Sequence, residues 1–258
     1  AVSMLVSLGI IEGKPDGSYA PTENVDRAQM AKMLSVIMNK GVDNSALYQS
    51  VNSGLVDVNT NWAKGHINYC YTTGIIAGRG NGTFDPSATV TALEAAKMLL
   101  VAVGYDPKIE GFEGADWAIN VSVRADEQGI FEGFTKDLSA PLNRDDAALL
   151  IYNALDVEMI QSYTTNNYPI AYSDHRTILA DKYGVIKVQG VVVANEWASL
   201  ASDDGDAALK EGKTTIYNGE GIFSTTGNTT VSKEDASLKT QTFNVSTPVD
   251  MLGKTVNL

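Results

Sequence analysis

Apolar residues follow helical spacing in several stretches of the first 160 residues, and strand-like runs appear after residue 184. Between residues 61 and 73 the apolar positions recur close to every third or fourth residue, which predicts a helix. Gly74 follows this stretch, as expected of a glycine in the left-handed position that ends a helix. A second, largely apolar helix is predicted after Thr91, because Thr91 and Glu94 have the spacing of a capping box.

The same order of elements occurs three times in the first 160 residues. Each copy has a Gly-Ile pair, a further glycine four residues after the first and a proline twelve residues after it, with leading glycines Gly9, Gly74 and Gly129. Capping residues also precede the apolar helices predicted over 27–39 and 144–155. Fixed offsets in triplicate indicate internal repeats, at about 1–50, 51–110 and 111–160.

One copy of some 50 residues is too small to bury a core by itself, because small units hide too little surface. The three second helices can pack against one another instead. The sequence of residues 1–160 therefore predicts an all-α, pseudo-threefold bundle that displays three glycine loops around it.

The composition changes after residue 160. Residues 161–183 are polar with scattered tyrosines, which predicts a linker. Residues 184–258 contain several runs rich in β-branched residues and separated by glycine and asparagine, which predicts an all-β barrel or sandwich, with an OB-like barrel as one option. Predicted strands are 185–194, 214–217, 221–223, 229–231, 241–245 and 254–258. Because the last run ends in apolar residues, we expect this β domain to continue beyond residue 258.

Short motifs in the three copies are similar to those of a known family. The middle copy contains Asp57-Val58, Trp62-Ala63, Gly74-Ile75, Asn81-Gly82-Thr83-Phe84 and Thr91-Ala92-Leu93-Glu94. The first copy has Asp16-Gly17-Ser18-Tyr19 and Asp26-Arg27-Ala28-Gln29, and the third has Trp117-Ala118, Gly129-Ile130 and Asn143-Arg144-Asp145-Asp146. Together these motifs resemble the S-layer homology domain over residues 1 to about 160.

The resemblance implies a non-enzymatic anchor on the outside of a bacterial cell, in the cell wall or surface layer. Its expected partner is an anionic secondary cell wall polysaccharide, often carrying pyruvylated amino sugars, and self-assembly into a lattice is a further option. The ligand is expected in grooves between neighbouring repeats. The expected polysaccharide-binding residues are Arg27, Asp57, Trp62, Gly78, Arg79, Gly80, Trp117 and Arg144.

The side-chain chemistry agrees with this expectation. A guanidinium gives forked hydrogen bonds to a carboxylate, an aromatic face covers the apolar side of a sugar ring, and glycine loops let a ligand approach backbone N–H groups. The copies differ from the family pattern, since Ala92 replaces the arginine of the middle copy. We therefore expect the most complete groove to combine Arg27, Asp57 and Trp62, and the weakest to combine position 92 with Trp117.

Charge and length exclude several other functions. The chain of 258 residues has a net charge of −12 and a sequence pI of about 4.5, which argues against binding nucleic acid. No stretch approaches the roughly 20 apolar residues of a membrane helix, so membrane insertion is not expected. No signal peptide is present, and residue 1 falls inside the first repeat, so we expect the numbering to begin partway into a longer precursor.

Candidate catalytic and metal sites are sparse. His66 and His175 lie in different predicted domains without metal-binding spacing, the single cysteine, Cys70, forms no cluster, and no cofactor is expected. The acidic run at residues 203–206 is the one candidate for calcium, with a solvated turn as the alternative. The sequence thus leaves three hypotheses open: an anchored surface-layer protein, the anchor of a surface enzyme whose catalytic domain lies beyond residue 258, and an adhesin or filament subunit that uses the repeats for protein contacts.

Overall fold

The computed structural model describes residues 1–185, 188–200, 208–219, 222–226, 230–235 and 239–257. The chain divides into two compact units. The helical unit comprises residues 1–172 and 177–183, and the β unit comprises residues 173–176 and 184–258. A helical region followed by a β region is the order that the sequence predicts.

The helical unit contains two α-helices per repeat and one further helix. These are α1 (Val2–Ser7), α2 (Arg27–Met38), α3 (Lys64–Thr72), α4 (Ala92–Val103), α5 (Trp117–Glu127), α6 (Arg144–Ala154) and α7 (Ile178–Tyr183), and a 3₁₀ helix spans Ser45–Tyr48. The helices predicted over 61–73, 27–39 and 144–155 correspond to α3, α2 and α6. Gly74 follows α3 with a φ of 79°, which confirms its predicted left-handed conformation.

The second helix of each repeat begins at a capped N-terminus. Asp26 and Gln29 form a complete capping box at α2, and Thr91 and Glu94 form another at α4. At α6 the side chain of Asn143 accepts a hydrogen bond from a backbone N–H in the first turn. These side chains satisfy backbone N–H groups that the helix itself leaves unpaired, which fixes where each second helix starts.

Three short extended segments, one before each second helix, are joined by a closed ring of backbone hydrogen bonds. The N–H of Val25 donates to the carbonyl of Leu142 at 2.8 Å, Leu142 donates to Val90 at 2.7 Å, and Val90 donates back to Val25 at 2.9 Å. All three side chains are buried. The ring holds the starts of α2, α4 and α6 close together, so each repeat lies next to both of the others.

One apolar core runs through the helical unit. Phe84, from the glycine loop of the second repeat, is fully buried in it. Helix α4 packs against α2, α5 and α6, and its alanines allow close approach of these helices. The core therefore depends on all three repeats, in agreement with the argument that one repeat is too small to bury its own.

Residues 161–183, for which the sequence predicts a linker, contain regular structure. Strands β1 (Ile160–Tyr163) and β2 (Pro169–Ala171) form an antiparallel hairpin, and α7 follows. Ile178 and Leu179 of α7 are buried in the core of the helical unit. The short apolar run of α7 thus packs as part of this unit, although the polar residues around it resemble a linker in composition.

The β unit contains six strands in its described part. They are β3 (Gln189–Asn195), β4 (Thr214–Tyr217), β5 (Ile222–Thr226), β6 (Thr230–Asp235), β7 (Thr240–Phe243) and β8 (Thr255–Asn257). Strands β7, β4, β3 and β8 form an antiparallel sheet in that order, and β5 pairs with β6 separately. The predicted barrel is not found among the described strands. Strands β7 and β8 are short, form the two opposite edges of the sheet and do not pair with each other, so the sheet does not close.

Candidate functional site

Two grooves open on the surface of the helical unit, each between repeats. Groove A is a cavity of about 490 Å³ around the second glycine loop, lined by Arg27, Ile75, Ile76, Ala77, Gly78, Arg79, Gly80, Glu94, Lys97, Met98, Phe112, Glu113, Gly114 and Trp117. Groove B is a cavity of about 240 Å³ around the first glycine loop, lined by Ile10, Ile11, Glu12, Gly13, Lys14, Pro15, Tyr19, Val25, Gln29, Lys32, Met33, Trp62 and Arg144. Each groove therefore takes side chains from three different repeats.

Arg27 connects the first repeat to the loop of the second repeat in groove A. Its Nε donates to the carbonyl of Phe84 at 2.8 Å, and its Nη2 donates to the carbonyl of Ala77 at 3.1 Å. The guanidinium also lies 4.4 Å from the centre of the Phe84 ring. Only Nη1 is left to face other groups, and Arg27 as a whole is 4% exposed.

Arg144 makes the corresponding contacts in groove B. Its Nε donates to the carbonyl of Tyr19 at 2.8 Å, its Nη2 donates to the carbonyl of Glu12 at 2.9 Å, and it lies 4.9 Å from the centre of the Tyr19 ring. Glu12 and Ala77 both stand three residues after the leading glycine of their repeats. The two arginines thus hold equivalent loop carbonyls, each reaching across from a neighbouring repeat.

The two grooves each contain one tryptophan, and the pairing of tryptophan with arginine differs from the prediction. Groove A combines Arg27 with Trp117, and groove B combines Arg144 with Trp62. Arg27 and Trp62, which were predicted to share a groove with Asp57, line different grooves. The physical reason is the cyclic order of the repeats, since each loop receives its arginine from one neighbouring repeat and its tryptophan from the other.

Asp57 lines neither groove and acts on the backbone instead. Its two carboxylate oxygens accept hydrogen bonds from the N–H groups of Phe84 at 2.9 Å and Asp85 at 2.7 Å. Burial acts to raise the pKa of Asp57, but these two N–H groups outweigh it, so the pKa is lowered. Because the carbonyl of Phe84 accepts from Arg27, Asp57 helps to position the loop that Arg27 holds.

The remaining predicted residues are in groove A. Gly78, Arg79 and Gly80 form part of its rim, and a Cβ on Gly78 would lie 2.8 Å from the carbonyl oxygen of Thr83. Nη1 of Arg79 donates to Oε1 of Glu94 at 2.8 Å. The loop therefore folds back on itself tightly at Gly78 and presents a guanidinium at the groove.

The third interface, around the loop of the third repeat, lacks the corresponding cations. Ala92 stands at the position of Arg27 and Arg144. The Nδ2 of Asn153 instead donates to the carbonyls of Ile130 at 3.0 Å and Glu132 at 2.8 Å. An amide from the same repeat thus holds the loop carbonyls, in place of an arginine from a neighbouring repeat.

Two lysines that the sequence reasoning did not select also line the grooves. Lys97 lies in groove A and Lys32 in groove B, and they stand at the same position of their repeats, five residues after Ala92 and Arg27. The third repeat has Leu149 there. A comparison of the second helices at this offset would have identified both lysines. Their presence gives each groove two or more cations in a chain whose net charge is −12.

Burial affects the charged groups of groove A. It lowers the pKa of Arg27 to about 10, and the neighbouring charge of Arg79 acts in the same direction. Burial likewise lowers the pKa of Lys97, which Glu113 opposes. Because these two basic side chains are partly or fully buried, their attraction for an anion is screened less by salt than that of surface charges.

Matches to known proteins agree with this arrangement. The sequence model of the S-layer homology domain matches residues 1–31 and 56–96, which contain the glycine loops of both grooves. The chain is also 27% identical to a cell surface protein of Thermoanaerobacter kivui over 87% of its own length and 32% identical to an S-layer protein of Bacillus licheniformis over 43%.

The helical unit therefore contains sequence of the S-layer homology domain.

S-layer homology domains mediate the attachment of S-layer and other surface proteins to the cell wall, and the match indicates a location at the cell wall surface. The chain is also 29% identical to an amylopullulanase of Thermoanaerobacterium thermosulfurigenes over 60% of its length. It spans 27% of the T. kivui protein, 12% of the B. licheniformis protein and 9% of the amylopullulanase.

The described part of the chain gives no helix with the length and apolar character needed to cross a bilayer. The acidic run at 203–206, which the sequence offers as a calcium candidate, lies outside the described residues. Within those residues, no cluster of three or more histidine, cysteine, aspartate or glutamate side chains is arranged to hold a metal ion.

Proposed function

We propose that the helical unit anchors this protein non-covalently, and without catalysis, to an anionic secondary cell wall polysaccharide, with pyruvylated sugars as the ligand class. The polysaccharide lies in grooves A and B. The observation that carries the proposal is the recurrence, in both grooves, of an arginine held on loop carbonyls, a lysine from the second helix and a tryptophan from a third repeat.

Each part of this arrangement suits an acidic sugar. The arginine and the lysine attract a carboxylate, and the indole of Trp62, which is 59% exposed, offers an apolar face to a sugar ring. Because the overall field of the chain is repulsive to anions, the cations in the grooves must supply the attraction locally. We propose further that the three repeats form a pseudo-threefold bundle, which the ring of backbone hydrogen bonds and the equivalent contacts of Arg27 and Arg144 support.

Cosedimentation of the full chain with purified sacculi tests this function. Binding is expected to sacculi that keep their non-peptidoglycan polymer and to be lost after chemical removal of that polymer. The double substitution Lys32→Gln and Lys97→Gln is expected to weaken binding, whereas Lys40→Gln, which changes an exposed lysine outside both grooves, serves as the matched control. Equal binding with and without the polymer would overturn the proposal.

A second candidate is that the same unit anchors a surface enzyme. The match to an amylopullulanase favours it, and the chain covers only 9% of that protein. In this case the repeats keep their wall-binding role and a catalytic domain stands elsewhere in the whole protein. The sequence of the complete protein separates the two candidates, since further β domains favour a lattice-forming protein and a carboxylate-pair fold favours an enzyme. An adhesin that uses the repeats only for protein contacts predicts no polysaccharide binding at all.

A further inference from the structure

Groove A continues into a second cavity further along α4. This cavity has a volume of about 460 Å³ and shares with groove A residues 75–78, Gly80, Lys97 and Glu113. Its remaining wall is formed by Leu55, Tyr71, Gly74, Gly82, Val101 and Pro107. This part of the cavity is called the extension of groove A.

The side chains of α4 set the direction of the extension. Glu94, Lys97 and Val101 follow one another at intervals of three and four residues, so they lie along one face of the helix. Of the two cavities, Glu94 lines only groove A, Val101 lines only the extension, and Lys97 lines both. Because α4 rises by about 10 Å from Glu94 to Val101, the two cavities form one trough that is longer than groove A, with Lys97 near its middle.

The chemistry of the trough changes along its length. Groove A contains two guanidiniums, whereas the extension adds no charged side chain, among the described residues, to the shared Lys97 and Glu113. Its own side chains are three aliphatic ones and one aromatic ring: Leu55, Val101, Pro107 and Tyr71. The Tyr71 residue is 36% exposed, so its ring is accessible from solvent. Such walls suit the apolar face of a neutral sugar and disfavour a carboxylate, which would lose its hydration there.

Backbone contacts hold the loop wall of the extension in place. The N–H of Val56 donates to the carbonyl of Gly82 at 3.0 Å. Cδ2 of Leu55 lies 3.0 Å from the position that a Cβ on Gly78 would take. The segment before α3 is thus packed against the glycine loop beside the extension. Because the wall is preformed, a ligand that binds there does not have to order the loop first.

The corresponding path along α2, beyond groove B, is covered. Val36 stands at the position of Val101, four residues after the lysine of its groove. Val36 is 3% exposed, whereas Val101 is only half-buried. The side chain that opens the extension on α4 therefore lies inside the protein on α2, and the two grooves differ in length.

We propose that the extension binds the sugar residue next to the acidic one in the same polymer, and that this neighbouring residue is neutral. The acid stays with the cations of groove A, and the chain passes Lys97 so that the next sugar lies against Tyr71 and Val101. The continuity of the two cavities supports a single polymer as the occupant of both. This inference rests on the proposed polysaccharide binding and adds to it the length and the chemistry of the segment that groove A recognises.

Fragments of graded length test the inference in the full chain. They come from partial depolymerisation of the purified wall polymer, and anion exchange and gel filtration sort those that keep an acid by their length. Calorimetry is carried out on a chain with Trp62→Ala and Lys32→Gln, which weaken groove B and leave groove A as the main site. The affinity is expected to rise about tenfold between the shortest acidic fragments and those that are one neutral sugar longer.

Two substitutions in the extension are then compared with two controls. Val101→Phe, which fills the extension, is expected to abolish the rise and to change the affinity for the shortest fragments by no more than about twofold. Tyr71→Ala is expected to reduce the rise, and it carries the test if Val101→Phe does not fold, because Tyr71 is exposed. Val123→Phe and Tyr168→Ala change an exposed valine and an exposed tyrosine outside both cavities, and they are expected to keep the rise.

The outcomes separate this inference from the proposed function. If the wild-type chain binds no acidic fragment of any length, the proposed function fails. If the fragments bind but the affinity does not depend on length, or the rise survives both Val101→Phe and Tyr71→Ala, polysaccharide binding stands and the extension is overturned. An equal loss of affinity for short and long fragments in variants that keep the far-UV circular dichroism of the folded repeats also overturns it, because the substitutions then act on groove A itself.

Discussion

Substitution of Arg27 by alanine should destabilise the helical unit, because Arg27 is an inter-repeat contact as much as a candidate ligand-binding residue. Two hydrogen bonds from a charged donor contribute about 1.5–3 kcal/mol each, and a desolvated guanidinium on an aromatic ring contributes about 2 kcal/mol. Burial opposes these terms. It lowers the pKa of Arg27 from an ordinary 12.5 to about 10, which corresponds to a cost of about 3 kcal/mol for keeping the side chain charged. We therefore expect a net loss of about 3 kcal/mol in the free energy of unfolding.

Urea denaturation followed by far-UV circular dichroism measures this loss, because helices α1–α7 all lie in the helical unit. Arg79→Ala is the matched control, since it removes the same charge from the same groove. The side chain of Arg79 is 36% exposed, and its ion pair with Glu94 should contribute no more than about 1 kcal/mol. If Arg27→Ala costs no more than Arg79→Ala, the loop carbonyls do not depend on Arg27 and the reasoning is refuted.

Three further predictions concern the loop, the pH dependence and the cysteine. Gly78→Ala should lower stability by about 1–3 kcal/mol in the same urea assay, because its Cβ would lie 2.8 Å from the carbonyl of Thr83, and unchanged stability would contradict this. Burial lowers the pKa of His66 below its ordinary 6.5, although Asp43 opposes the shift, so the unfolded chain takes up a proton first and stability should fall as the pH drops below about 6.5. His66→Gln should flatten the thermal stability between pH 7 and pH 5, and a slope equal to that of wild type would contradict the assignment. Burial raises the pKa of the Cys70 thiol, so a thiol reagent should label it only in denaturant, and rapid labelling of the native protein would refute its burial.

The local structure of the repeats was accessible from the sequence because each feature depends on neighbouring residues. Capping residues such as Asp26 and Thr91 mark where helices begin, and Gly74 marks where one ends. Spacing between residues in sequence carries this information directly, so the second helices were located within a few residues.

The composition of the grooves was not accessible in the same way. The repeat pattern identifies which positions of a repeat face a groove, but it does not show which neighbouring repeat supplies each side chain of a given groove. The pairing of Arg27 with Trp117 and of Arg144 with Trp62 depends on the cyclic order of three repeats in space. Asp57 was likewise selected as a binding residue because of its charge. In the structure its carboxylate accepts hydrogen bonds from two backbone N–H groups of the adjacent loop.

The prediction for residues 161–183 illustrates the limits of composition. Polar residues dominate the segment and indicate a linker, yet Ile178 and Leu179 lie in the core of the helical unit. Two buried residues in a short helix give too weak a periodic signal to be separated from a loop. The β unit presents the same difficulty, since local strand patterns do not specify whether edge strands such as β7 and β8 meet.

Titration of the full chain with the purified wall polymer, before and after its carboxylates are neutralised by carbodiimide coupling, tests the central claim most directly. If grooves A and B recognise an acidic sugar through their local cations, the native polymer should bind with an affinity that falls as salt is raised, and the neutralised polymer should bind far more weakly. Equal affinity for the two forms of the polymer would contradict recognition of an acid by these grooves.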